Sequence, residues 1–173
     1  MPFFEDYAPE AHGTAEPRLV VRPAVPGDVP ALAAVARTRG PQPASFDERL
    51  AQWVADDDRR VAVAVLDGAA PGVGWAMAAH RAGHDDAPDG WYVGWLVVDP
   101  SWRRRGVAGA LLDDLLAWTG GRGDALLSLV NVQNRASLDL HAGRGFRELA
   151  RAGSFAGVTF TGGTGLLLEA RTR

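Results

Sequence analysis

Residues 97–112, VVDPSWRRRGVAGALL, constrain this chain more than any other stretch. The apolar run Trp95–Val98 reads as the end of a strand. Asp99 and Pro100 stop it, because proline has no N–H to give a ladder and favours a turn. From Gly106 onward the apolar residues Val107, Ala110, Leu111, Leu115 and Trp118 recur at helical spacing. Arg103, Arg104 and Arg105 therefore stand at a helix N-terminus, where the helix dipole is positive and disfavours cations. A helix start that gathers backbone N–H groups and three guanidinium groups suits a polyanion. The small residues Gly106 and Ala108 let that anion approach the backbone. The competing reading is a solvated basic turn. The segment is not a P-loop, which needs Gly-Lys-Ser/Thr, nor a dinucleotide fingerprint, which needs three spaced glycines.

A second segment follows after a predicted strand at Ala125–Val130. Residues 134–146, NRASLDLHAGRGF, read as a short helix with Ala136, Leu138 and Leu140 partly apolar, closed by Gly145. Taken together, the two segments resemble the coenzyme-binding motifs of the GCN5-related N-acetyltransferase (GNAT) superfamily. The first family motif is Gln or Arg, two residues, Gly, one residue, then Gly or Ala; Arg103, Gly106 and Ala108 fill it. The second is Asn, a small residue, Leu-Tyr, then Gly-Phe. Asn134, Ser137, Leu140, Gly145 and Phe146 match it, and His141 departs from it at the tyrosine. The resemblance covers nearly all of residues 18–170.

The resemblance implies an α/β fold, with a mixed, mostly antiparallel central sheet splayed at the coenzyme A site and flanked by helices. It implies acetyl-CoA as acyl donor and no metal. The donor would be held by the backbone at Leu96, Val97 and Val98, and by the turn and first helical residues Arg103, Arg104, Arg105, Gly106, Val107, Ala108 and Gly109. Asn134, Ser137 and His141 would complete the coenzyme site. At the tyrosine position, His141 would protonate the leaving thiolate, as a cation or through a neutral hydrogen bond. Tyr92 or a water is the alternative acid. Many family members place a Glu on the central strand, whereas WYVGWLVV here carries no carboxylate.

The rest of the chain reads as alternating elements. Strands are predicted at Arg18–Pro23, Arg60–Leu66, Val73–Arg81, Gly90–Val98, Glu148–Phe155 and Val158–Glu169. A helix is predicted from Val29 to Thr38, with Asp28 as its cap. A second runs from Ser45 to Ala55, with Ser45 and Glu48 as a capping box. Asp67-Gly68 marks a hairpin turn. The Gly-rich run FTGGTG, residues 160–165, reads either as a bend in the last strand or as a subunit contact. Residues 1–17 read as a flexible N-terminal tail preceding one domain, 18–173.

Composition narrows the function. The chain has 173 residues, 47% hydrophobic and 23% charged, ordinary for a globular protein. It contains no cysteine, which excludes disulfides, a thiol nucleophile and cysteine metal sites. A net charge of −3 argues against general nucleic-acid binding. No window is long and apolar enough for a membrane span, and the opening residues show no leader pattern, so a cytoplasmic enzyme is expected. His80 and His84 are separated by Gly83, which argues against a shared metal. Asp85, Asp86 and Asp89 read as a solvated loop or as an attractor for a cationic amine. Trp75, Trp91 and Trp95 read as core or as an acceptor pocket.

The expected activity is acetyl transfer from acetyl-CoA to a primary amine of a small molecule, by direct attack in a ternary complex. The alternatives are acetylation of a protein N-terminus or lysine, and an inactive acyl-CoA-binding sensor. A homodimer is an expectation drawn from the family. An arginine-rich loop that binds nucleic-acid phosphates is the remaining reading, and it predicts steep salt dependence.

Overall fold

The computed structural model describes residues 13–171. Residues 1–12 of the expected tail lie outside that range. The elements are β1 (Leu19–Pro23), α1 (Val29–Arg37), α2 (Phe46–Val54), β2 (Arg60–Leu66), β3 (Ala69–Arg81), β4 (Gly90–Val98) and α3 (Val107–Gly120). They continue as β5 (Leu126–Asn131), α4 (Arg135–Ala142), β6 (Arg147–Ala152), β7 (Ser154–Phe155), β8 (Val158–Thr159) and β9 (Gly165–Ala170). Seven strands form one sheet in the order β1-β2-β3-β4-β5-β9-β6, and β7 pairs with β8. The sheet is mostly antiparallel; β4 and β5 run parallel through Trp91↔Leu126 and Tyr92↔Leu127. This is the mixed α/β class expected from the sequence. The described chain divides into two compact units, 13–78 with Gly94–Leu115, and Ala79–Val93 with 116–171.

In the first unit β2 is the central apolar strand, buried along RVAVAVL except at its two ends. It pairs antiparallel with β1 from Leu19↔Leu66 to Pro23↔Ala62, and with β3 through Val63↔Trp75. Asp67 and Gly68 both take positive φ, 51° and 77°, so the predicted two-residue hairpin turn has the left-handed pair that a primed turn needs. Leu32, Ala33, Val35 and Ala36 of α1 and Phe46 and Leu50 of α2 are buried. Trp75 is fully buried, and its indole N–H donates to the Leu32 carbonyl at 2.9 Å. That bond satisfies the one polar atom which burial would otherwise leave without a partner.

Two predicted caps are not formed. Asp28 does not cap α1 with its side chain. Its carboxylate accepts from both Arg22 guanidinium nitrogens, at 2.7 and 2.9 Å, and from the Val25 amide at 2.8 Å. Ser45 precedes α2 with φ −80° and ψ 6° and makes no cap bond. A side-chain cap needs extended backbone at that residue. Here the chain enters α2 through a turn in which Phe46 N–H donates to the Pro43 carbonyl.

In the second unit β9 lies between β5 and β6, antiparallel to both, with a register shift in β6 between Glu148 and Ala150. The strand expected at 158–169 is two strands, β8 and β9. Gly162 and Gly163 both adopt left-handed φ, +83° and +79°, and Gly163 N–H donates to the Phe160 carbonyl. A side chain at Gly165 would lie 2.2 Å from the Phe160 ring. The Gly-rich run is therefore a bend within the chain that seats Phe160 with Tyr92, Leu127, Phe155 and Leu167 in a core cluster. The strand expected at 148–155 is likewise β6 followed by β7, whose hairpin turns through Ala156 and Gly157 at positive φ.

Asp28 is 3% exposed, and the Arg22 guanidinium holds its carboxyl below the ordinary aspartate range. Asp28→Asn should lower stability at pH 7 by about 2–3 kcal/mol, read from the urea midpoint. A carboxyl with a lowered folded pKa stabilises above its unfolded value, near 3.9, and loses that contribution as pH falls through the folded one. The difference between wild type and variant should therefore close in acid.

Candidate active site

The arginine turn is built by the exit from β4. The Asp99 amide donates to the Val73 carbonyl of β3 at 2.9 Å. Backbone groups alternate edges along a strand, so Val97 also faces β3 while Leu96 and Val98 present theirs to the opposite edge. Val97 and Val98 are buried and Leu96 is partly exposed. The Asp99 side chain accepts from the Ser101 amide and opens a short turn at Pro100–Trp102. Arg103 is extended; Arg104 and Gly106 take positive φ of 61° and 81°. These two left-handed residues reverse the chain into α3. For Arg104 that conformation is strained, and such strain concentrates at functional turns.

The ladder of α3 begins where the Ala110 amide donates to the Gly106 carbonyl at 3.0 Å. The amides before that bond, from Val107, form the helix N-terminus. Val107, Leu111, Leu112 and Leu115 bury the inner face of α3. Arg104, Arg105 and Gly106 are exposed, and Ala108 is partly exposed. The Arg105 guanidinium lies 4.9 Å over the Trp102 ring, and its carbonyl accepts from the Glu16 amide at 3.1 Å. Gly13 packs so closely on Arg104 that a Cβ there would lie 1.7 Å from its carbonyl oxygen. The chain just before β1 thus runs against the arginine turn.

The second predicted segment lies in the other unit. Asn134 caps α4, its side-chain oxygen accepting from the Ser137 amide at 3.1 Å. Gly145 takes φ 78° just beyond the helix, as its place in the sequence predicts. His141 is 2% exposed and packs edge-on against Phe146, centroids 4.7 Å apart. Its Nδ1 lies 2.7 Å from the Ser137 carbonyl oxygen, which can only accept, so the proton sits on Nδ1. Nε2 is buried and has no hydrogen-bond partner among the described residues. Burial pushes the His141 pKa below the ordinary value, against the Ser137 carbonyl, which raises it. The ring is therefore neutral at pH 7, with an unshared lone pair on Nε2.

A family model for acetyltransferases of the GNAT family matches residues 31–146. The chain belongs to this family. The fold agrees with solved structures that share little sequence. The yncA protein of Salmonella typhimurium, solved with its cofactor acetyl-CoA, has 19% identity and a TM-score of 0.72, covering 89% of this chain and 94% of that one. Ribosomal-protein-alanine N-acetyltransferase from Brucella melitensis has 21% identity and a TM-score of 0.71, covering 88% and 99%. Arabidopsis thaliana NAA60 in complex with acetyl-CoA has 20% identity and a TM-score of 0.70, covering 89% and 99%. No curated protein matches the sequence.

Other candidates in this GNAT chain fall into distinct places. Tyr92 is 1% exposed and its hydroxyl donates to the Pro88 carbonyl at 2.7 Å. Burial raises its pKa, so it is neutral and held in the core cluster. Asp86 accepts from the Ala156 amide and Asp89 from the Gly83 amide, so both organise the loop they stand on. Trp75 stacks on Trp95 at 5.1 Å, and Trp95 meets Phe46 at 5.5 Å. Phe46 meets Trp53 edge-on at 6.1 Å, which extends this aromatic wall along α2. Trp91 belongs to the other unit, between His80 and Trp118. It lines a shallow cavity of about 250 Å³ with Asp89, Asp124 and Glu169. Among the described residues, no group of three or more His, Asp or Glu is arranged to hold a metal. Among the described residues, no helix is long and apolar enough to cross a membrane.

Sequence reasoning passed over Phe46, Trp53 and Arg39. Arg39 follows α1 without any motif, yet its Nη1 reaches 3.5 Å from the Leu96 carbonyl.

A buried neutral histidine costs stability when it must be charged. Its lowered folded pKa means stability is complete above the unfolded value near 6.5 and falls as pH drops below it. Wild type should lose stability between pH 6.5 and 5 relative to His141→Gln, measured by thermal melts across that range.

Proposed function

We propose that this chain transfers the acetyl group of acetyl-CoA to the primary amine of a small molecule, by direct attack in a ternary complex. The observation that carries the reading is the arginine turn. Left-handed backbone at Arg104 and Gly106 delivers Arg103, Arg104 and Arg105 to the N-terminus of α3. That arrangement combines guanidinium donors, helix amides and a positive dipole, the features that bind a pyrophosphate. The backbone of Leu96 and Val98, facing away from β3, is the edge available to the pantetheine amides. The family resemblance assigns Asn134, Ser137 and His141 at α4 to the coenzyme as well. Two neighbours solved with acetyl-CoA support the choice of donor.

In the reaction, the amine nitrogen attacks the thioester carbonyl carbon, the C–S bond breaks, the amine loses a proton and the thiolate gains one. Positioning supplies much of the acceleration, because the thioester is already activated. Oriented N–H donors beside the carbonyl stabilise the charge that develops on its oxygen. The tautomer of His141 changes its expected part. With Nδ1–H committed to Ser137, Nε2 takes up a proton before it can give one. His141 then accepts the amine proton and returns it to the thiolate.

Arg103→Ala with Arg105→Ala should raise KM for acetyl-CoA tenfold or more, at about 1–3 kcal/mol per lost charge-assisted contact. Thiol release across amines and peptides measures it, and an unchanged KM removes the turn from the coenzyme site. His141→Phe should lower kcat with KM little moved. Because the basic form of His141 prevails down to below pH 6.5, kcat should be flat above that value and fall beneath it. A kcat that falls as pH rises through neutrality would make His141 the acid instead.

A further inference from the structure

Five arginines of the first unit pair with carboxylates. Arg18 pairs with Glu16, Arg22 with Asp28, Arg37 with Asp47, Arg59 with Asp56 and Arg60 with Asp114. Arg39 differs from these five. Among the described residues no carboxylate pairs with it; its contact is the Leu96 carbonyl, on the edge of β4 that faces away from β3. It keeps solvent access, yet crowding by the protein, and then the Arg103 cation, push its pKa below the usual arginine value. An exposed guanidinium with no carboxylate partner among the described residues is open to an incoming anion. Asp47, the acid at the start of α2, is already committed to Arg37.

We propose that Arg39 binds a carboxylate carried by the acceptor, so that the acetylated amine is an α-amino acid or a close analogue. This rests on the acetyltransferase reading above. A coenzyme phosphate shares the same chemistry, but the position of Arg39 favours the acceptor. Its guanidinium is held at Leu96, three residues before the strand leaves at Asp99, a run of about 10 Å. Next to Leu96, Trp95 is partly exposed, stacked on Trp75 and tilted against Phe46. That face offers an apolar surface beside a guanidinium that no carboxylate pairs among the described residues. It fits an amine bearing a carboxylate and an apolar side chain, and it disfavours a polyamine.

The test compares matched pairs, phenylalanine with phenethylamine and leucine with isoamylamine, as acceptors for wild type, Arg39→Ala and Arg39→Lys. Calorimetry of acetyl-CoA binding runs alongside. Wild type should prefer the carboxylate-bearing member of each pair in kcat/KM. Arg39→Ala should raise KM for that member by about 10- to 100-fold, the size of a lost charge-assisted hydrogen bond, and erase the preference. Arg39→Lys should restore part of it, because it keeps the charge without the fork. An acetyl-CoA Kd that rises in Arg39→Ala while the preference persists overturns the inference and gives Arg39 to the coenzyme phosphates. Tight acetyl-CoA binding without turnover of any carboxylate-bearing amine also overturns it, while the coenzyme reading stands. Absence of acetyl-CoA binding to wild type overturns both.

Discussion

The whole arginine turn of this protein depends on how the chain leaves β4. The strand must end, reverse and enter a buried helix between Asp99 and Gly106. Pro100 ends the ladder, Asp99 seals the turn through the Ser101 amide, and Arg104 and Gly106 take left-handed backbone to aim α3. The inner face of α3, Val107, Leu111, Leu112 and Leu115, is buried, and that burial fixes where the helix begins. With the helix start fixed, its first amides follow directly on the three arginines of the turn. The strain at Arg104 is offset by the packing on either side of the turn.

The polar groups that burial would otherwise penalise are distributed with equal consequence. The Trp75 indole, the Tyr92 hydroxyl and the Asp28 carboxylate each have a nearby backbone or arginine partner. His141 is different, since one nitrogen is satisfied and the other has no partner among the described residues. A buried acceptor left open is costly, and sites of that kind are retained where a ligand or a proton transfer uses them. Arg39 presents the surface counterpart, a guanidinium with no carboxylate partner among the described residues. These two residues give the protein its reactive and its selective character in the readings proposed above.

Much of this was legible in the chain itself. Asp67-Gly68 specified a hairpin turn and formed one. Gly145 ended α4 where its position requires. The limits of β2 and β4, Arg60–Leu66 and Gly90–Val98, follow the apolar runs. The caps were not legible, because Asp28 had a stronger partner in Arg22 across a turn and Ser45 lacked the extended backbone that capping needs. The break between β8 and β9 was only half legible: the glycines announced a bend, but the Phe160 ring over Gly165 gives its reason.

The sequence by itself determined the strand–turn–helix of the arginine segment, the α4 segment and the family to which they point, because these rest on local spacing, turn chemistry and residue size. Only the tertiary structure decided the proton position on His141, the partner of Asp28, the aromatic wall of Phe46, Trp53 and Trp95, and the isolation of Arg39. Each depends on which groups from distant parts of the chain exclude water together. Periodicity records which face of an element is buried, but not what it is buried against.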